Sequence, residues 1–311
     1  MRHEDHGFVL ICVLWVLAII TVLTLSLGHV AMLDERAAAQ TIDYAQAHHL
    51  ARGAVERGRL ELAIQQQREL MGELLQSNAP RTAASWPKEI EIKALYGIYG
   101  RESGDDECGA IIRDESGRIN LNAAPEEVLD EIEELDFSAV SDIMERRGED
   151  TGAGPERPFL TIEELRALAD ISDSAWYGHD DKAGLRDMFT IYGDGLINVN
   201  AASREVLMAI PGLSEGDADA IVAYRAGGDG ALFTGDDQRF AGLDDVSRHT
   251  GVSTETAASL ARYCKIDSSY FRITGFATRR QGLIRAECTA FVQVTEQGTI
   301  ILEWREGGFG V

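Results

Sequence analysis

Residues 8–27 form an unbroken apolar run, FVLICVLWVLAIITVLTLSL, with no charged side chain in twenty positions. A helix rises about 1.5 Å per residue, so this stretch just spans the roughly 30 Å hydrocarbon core of a bilayer. The pattern then changes character without stopping. Ala37, Thr41, Tyr44, His48, Ala51, Val55, Gly58 and Leu62 recur at spacings of three and four, which is one face of a helix. The first proline is Pro80. A single helix from Phe8 to about Gln76 is therefore predicted, roughly 100 Å long. Half of it projects beyond the apolar run, with a small-residue stripe suited to a sheet or a partner helix. His48 and His49 read as part of that helix surface, not as metal ligands.

Ser77 to Pro87 (SNAPRTAASWP) has the composition of a linker. The C-terminal segments Phe271–Thr278, Leu283–Val294 and Thr299–Arg305 alternate apolar and polar positions, with turns at Gln281-Gly282 and Glu296-Gln297-Gly298. Three antiparallel strands are predicted there, closing a small sheet against the long helix. Strands between about Ile90 and Ile112 are predicted to complete it.

Between these β-like regions the chain repeats itself. INLNAAPEEVLDEI (Ile119–Ile132) and INVNAASREVLMAI (Ile197–Ile210) are identical at nine of fourteen positions, at an offset of 78. Ile143 matches Ile221, Arg147 matches Arg225, and FLTIEEL at Phe159 matches FAGLDDV at Phe240. Duplication of a supersecondary unit is the physical reading. Each copy is predicted to close on a β-like piece, FTIYG at Phe189 and FRITG at Phe271. Asn122 and Asn200 are predicted to be helix N-caps, and Pro125 to lie early in its helix. Val128, Leu129, Ile132, Val206, Leu207 and Ile210 form the expected buried stripes. Pro211-Gly212 followed by SEGDADAIVAYR resembles a helix-hairpin-helix, whereas the first copy reads EELDFSAV and lacks the Pro–Gly turn.

Charge narrows the use of those hairpins. The 311-residue chain carries 52 acids against 29 Lys and Arg, a net charge of −23, with 45% apolar residues. Such a field repels phosphate backbones, and Leu196–Tyr270 itself holds eleven acids and six Lys/Arg. A packing role for the hairpins is therefore expected. Gly212 to Gly216 spells GxSxG, but a nucleophile elbow needs a strand before the Ser, and here a helix and Pro211 precede it. With only His249 at plausible range, no catalytic set stands out, and no enzyme activity is expected. Cys12 lies in the apolar run. Cys108, Cys264 and Cys288 allow either one disulfide and a spare thiol or three buried free thiols.

Seven residues ending in Gly7 precede the apolar run that starts at Phe8. This junction resembles the type IV prepilin class. The resemblance implies cleavage by a prepilin peptidase between Gly7 and Phe8, N-methylation of Phe8, and a helix that anchors first and later builds a filament core. In that class the fifth residue after the cut is usually Glu, paired with a neighbour's terminal amine; here it is Cys12. A buried carboxylate without a partner is costly, so an uncharged Cys12 is expected at a tip. Together with DESGRINLNAAP at Asp114 and INVNAA…IPGLS, these features resemble minor pseudopilin K of type II secretion, the general secretion pathway protein K family.

The resemblance covers nearly the whole chain and implies an α+β fold. That fold is a long N-terminal transmembrane and pilin helix and a small antiparallel sheet, the pilin-like roll. A large all-α domain with duplicated helix-hairpin-helix-like units is inserted into it. The expected organisation is a leader at 1–7, the helix at 8–76, and the first part of the pilin-like domain at 77–118. The inserted helical domain follows at 119–268, with repeats at about 119–187 and 197–268, and the C-terminal strands at 269–311. Further implications are a structural, non-enzymatic place at the tip of the pseudopilus and a role in export across the outer membrane. The chain would cross the inner membrane once, with a periplasmic C-terminal domain. Implied partners are minor pseudopilins of the I, J and H types, the major pseudopilin, prepilin peptidase and the inner-membrane assembly platform. The family also implies calcium. Asp229, Asp236 and Asp237 in GGDGALFTGDDQRF are the candidate ligands, with Asp105–Glu107 and Asp180–Asp181 as alternatives; none has EF-hand spacing. The competing reading is a membrane-tethered helix-hairpin-helix protein that binds nucleic acid, as in DNA uptake.

Overall fold

The computed structural model describes residues 5–74, 88–91, 107–148, 157–179, 182–232, 236–280 and 282–307. It opens with α1 (Asp5–Leu74), then β1 (Lys88–Glu91), β2 (Cys108–Asp114) and β3 (Ile119–Asn120). Next come α2 (Glu126–Leu129), α3 (Phe137–Arg147), α4 (Glu163–Leu168), α5 (Asp173–Tyr177), β4 (Gly178–His179), β5 (Lys182–Ala183), α6 (Leu185–Met188) and β6 (Phe189–Thr190). The second repeat supplies β7 (Ile197–Asn198), α7 (Arg204–Met208), α8 (Glu215–Arg225), α9 (Leu243–Thr250), α10 (Thr254–Tyr263) and β8 (Cys264–Lys265). Three long strands close the chain: β9 (Tyr270–Arg279), β10 (Ile284–Thr295) and β11 (Gly298–Glu306).

Five strands form one antiparallel sheet in the order β1-β2-β9-β10-β11. Alternation decides its faces. Ala110, Ile112, Ile273, Ala277, Ala286, Cys288 and Ala290 turn towards α1 and are buried with Ala47, Ala51, Ala54, Val55 and Leu62 of the helix. The approach is close because the contact residues are small. Gly275 sits in register between Ala110 of β2 and Cys288 of β10, and a Cβ there would run into the Ala51 carbonyl oxygen. A Cβ on Gly58 would lie 2.6 Å from the Ile273 side chain. The helical stripe is thus realised from Tyr44 to Leu62, while Ala37 and Thr41 stand exposed before the sheet begins.

The chain leaves this sheet after β2 and returns to it at β9. The residues between build a second core, with Phe159, Phe189, Phe240, Leu121, Leu129 and Leu207 almost wholly buried. Fully burying such side chains contributes roughly 1.5–3 kcal/mol each. The duplication is visible in the backbone. Ile119-Asn120 pairs in parallel with Phe189-Thr190, and Ile197-Asn198 pairs in parallel with Cys264-Lys265. The closing strand of the second copy is therefore Cys264-Lys265. FRITG at Phe271, expected to play that part, belongs instead to β9 of the large sheet, because its strict alternation suits a sheet with one face on α1.

Asn122 and Asn200 also differ from their expected role. The N-cap positions of α2 and α7 are Pro125 and Ser203, and the Ser203 hydroxyl accepts from the Val206 amide. Each asparagine instead clasps a phenylalanine's backbone. Asn122 accepts from Phe159 N at 2.7 Å and donates to Phe159 O at 2.9 Å. Asn200 does the same to Phe240, at 2.8 and 3.1 Å. Buried guanidinium groups complete the symmetry: Arg147 donates to Ala124 O at 2.7 Å and Arg225 to Ala202 O at 2.5 Å. A buried guanidinium is tolerated only when its N–H groups find acceptors. The hairpin turn also survives in the first copy, without Pro–Gly. Leu135 N donates to Ile132 O, as Leu213 N does to Ile210 O, and Asp136 caps α3 as Ser214 caps α8.

Candidate functional site

The site that bears on function is α1 and the surfaces it meets. Every described side chain from Leu10 to Val30 and on to Ala38 is exposed, including Trp15, Leu17, Leu25 and Leu33. Water would penalise so much apolar surface heavily. By length and composition this part of the helix is able to cross a membrane. Its two hydroxyls match that environment. Thr21 donates to Leu17 O and Thr24 to Ile20 O, each at 2.8 Å, so neither needs water. Gly7 and Phe8 lie within α1, with side chains outside the described residues. Cys12 is an exposed free thiol on the same helix.

Lower on α1 the surface turns polar at its edges and is pinned to the sheet. Arg280 reaches Asp43 at 2.5 Å, Gln66 donates to Thr295 O at 2.7 Å, and His48 Nε2 lies 3.5 Å from Glu306. Cys108, Cys264 and Cys288 are all free and buried, which settles the thiol alternatives without a disulfide. Burial pushes their thiols up to about 11, 12 and 11, so they are inert at neutral pH.

The helical domain is tied to the sheet by buried polar groups that the sequence reading did not single out. Asp114 Oδ1 accepts from Ser116 N at 2.8 Å, and Oδ2 accepts from Ser268 Oγ and, at 3.5 Å, from Asn198. Burial raises the Asp114 carboxyl to about 6. Glu115, also buried, accepts from Thr190 Oγ1 at 2.8 Å and pairs with Arg272 at 3.0 Å. Tyr192 stacks on Phe291 at 4.5 Å and donates to Glu303. The signal for this junction lay in DESGRINLN itself, where a charged pair stands between two apolar stretches, at the end of β2 and ahead of β3.

The other candidate residues are explained by local structure. Ser214 is the N-cap of α8 in a capping box with Asp217, and its hydroxyl donates to Asp217 Oδ2 at 2.7 Å. His249 stacks on Tyr224 at 4.6 Å. Arg204 bridges Glu215 and Asp219, so the cation nearest the second hairpin is already neutralised. The acidic loop closes on its own amides. Asp236 Oδ2 accepts from Gly228 N at 2.7 Å and Asp229 N at 3.0 Å, and Asp229 Oδ1 accepts from Ala231 N at 2.8 Å. Asp229, Asp236 and Asp237 do not converge: among the described residues no three His, Cys, Asp or Glu side chains form a metal-holding group. Asp105, Asp106, Asp180 and Asp181 lie outside the described residues.

Comparison with known proteins points one way. Residues 197–262 match the family model of "Type II secretion system (T2SS), protein K". A chain in the crystal structure of the GspK-GspI-GspJ complex from the enterotoxigenic Escherichia coli Type 2 Secretion System has a similar fold, with a TM-score of 0.51. The two are 15% identical, and the alignment covers 89% of this chain and 99% of that one. No curated protein sequence matches. The resemblance to type II secretion protein K, and the α+β architecture it implied, are borne out.

Proposed function

We propose that this chain, a pseudopilin-type component of type II secretion, is the minor pseudopilin that caps the pseudopilus. The observation that carries the reading is the division of α1 into an apolar half with no partner in the chain and a half packed on a sheet. In this reading, prepilin peptidase cuts between Gly7 and Phe8, and Phe8 becomes an N-methylated terminus. The helix from Phe8 holds the chain in the inner membrane, with the remainder in the periplasm, and later enters the filament core. Cys12 supports the terminal place. A neutral thiol at the fifth position needs no amine from a subunit overhead, whereas a carboxylate there would. The helical domain supports it as well, since the module built between β2 and β9 would obstruct a subunit stacked on the sheet.

The role is structural, in export across the outer membrane, and Ser214 serves as a helix cap with no catalytic part. Partners on this account are equivalents of the two other chains in the complex named above, then an H-type minor pseudopilin, the major pseudopilin and the assembly platform. Calcium at Asp229, Asp236 and Asp237 is proposed only for a loop that releases its internal amide bonds. Raised thermal stability on adding calcium, abolished by Asp236→Ala, is the expected result. The wider test is co-purification of the full chain with I- and J-type pseudopilins, followed by gold labelling of assembled filaments. A ternary complex and label confined to filament ends are expected. Label spread along the shaft contradicts the tip assignment.

A further inference from the structure

We propose that the sheet face turned away from α1 is a binding groove for an acidic, extended segment of a neighbouring protein. The face holds a cavity of about 350 Å³ whose walls include Arg113, Arg272, Arg285 and Arg305, with Glu287 the one acid among its lining residues. The chain as a whole has 52 acids to 29 Lys and Arg, so this ratio is reversed locally. Carboxylates behind the wall do not cancel it. Arg272 faces Glu115 at 3.0 Å, Arg305 pairs with Glu303, and Arg285 lies 3.5 Å from Glu287. Asp187 and Glu163 also act on Arg272 and Arg305, and Arg118 adds a cation, so the arginine these pairs leave over is Arg113.

Individual geometry strengthens the point. Arg113 is exposed on β2 and has no ion-pair or hydrogen-bond partner among the described residues. Arg272 lines the cavity and meets Glu115 through Nε at 3.0 Å. Burial depresses its pKa, the mark of a guanidinium short of water. A planar guanidinium presents two parallel N–H groups that pair bidentately with a carboxylate, so a wall of arginines suits a row of carboxylates. The floor holds half-buried Ile111 and Phe276, which give apolar side chains of the same segment a place to rest. Within a strand, same-face lining residues such as Ile111 and Arg113 recur about 7 Å apart, the repeat of same-face residues in an extended peptide.

The test uses the full-length chain in detergent and a fluorescein-labelled hexaglutamate peptide, read by anisotropy. Binding that weakens with added salt is expected, with roughly tenfold weaker binding to Arg113→Glu/Arg285→Glu. Arg186→Glu/Arg248→Glu makes the same charge change on the helical domain and is expected to leave binding within about twofold. Both exchanged groove side chains are exposed, so a thermal melt close to the parent's confirms that the variant is folded. Absence of binding, equal binding of labelled hexaglutamine, or equal losses in the two double variants would each overturn the proposal.

Discussion

The two halves of α1 share one helix and two different solvents. Residues 10–33 are apolar on every side and touch nothing in the chain. Residues 44–62 bury only one stripe, built mostly from the small residues Ala47, Ala51, Ala54, Val55 and Gly58, with Leu50 and Leu62 among them. The lesson is that side-chain size, not apolarity alone, separates the half that packs on its own sheet from the half that must find company outside. Large residues fill the first half because lipid tails or neighbouring helices adapt to them. Small residues fill the second because a sheet backbone lies directly beneath.

The strongest way to break this comparison is Gly275→Val. The added side chain meets the Ala51 carbonyl, and a backbone oxygen has no room to retreat, so a loss of about 3 kcal/mol or more is expected. Thermal melts of the full chain followed by circular dichroism measure it; an unchanged midpoint would mean that helix and sheet are not in contact. Asn200→Leu comes next, with about 2–3 kcal/mol expected from stranding the buried Phe240 backbone groups. Its effect should fall on the helical domain and leave the α1–sheet core intact, as read by hydrogen exchange. A matched pair then sharpens the contrast. Val55→Ala is expected to cost about 2 kcal/mol, and Leu17→Ala under about 0.5 kcal/mol in the same melt, because Leu17 packs on nothing in the chain.

A pH-dependent effect belongs to Asp114, where β2 hands over to the helical domain. Its carboxyl rises from 3.8 to about 6 because burial disfavours the charged form. The folded chain therefore binds more protons than the unfolded one between about pH 4 and 6. Stability from this group is present below that window and declines as pH rises through it. Asp114→Asn is expected to flatten that slope by about 1 kcal/mol, a discounted figure because the residue is only partly buried. Denaturant titrations at pH 4.5 and 7 check the difference.

Much of this architecture was legible in the residues. The helix, the three closing strands and the duplication all rest on periodicity, which is a local property of the chain. What was not legible depends on contacts far apart in sequence. Asn122 and Asn200 carry the residue type of an N-cap, and only the fold shows that their amides are spent on Phe159 and Phe240. The turn before α3 was hidden because its signature Pro–Gly is replaced by Glu133-Glu134, yet Asp136 and the Ile132–Leu135 bond hold it. Gly212 needs φ of +79° in the second copy, whereas Glu134 avoids the left-handed region. The acidic loop was legible only as a set of carboxylates among glycines. Calcium there was implied by resemblance and not by spacing, and short Asp side chains beside glycines also satisfy backbone amides.

The central claim is that α1 begins life anchored and is trimmed to serve in a filament. Intact-mass and N-terminal sequencing of the chain recovered from membranes that contain prepilin peptidase address it directly. The account predicts a mature chain that starts at a methylated Phe8 and lacks residues 1–7. Recovery of an uncut chain starting at Met1 from assembled filaments would contradict it.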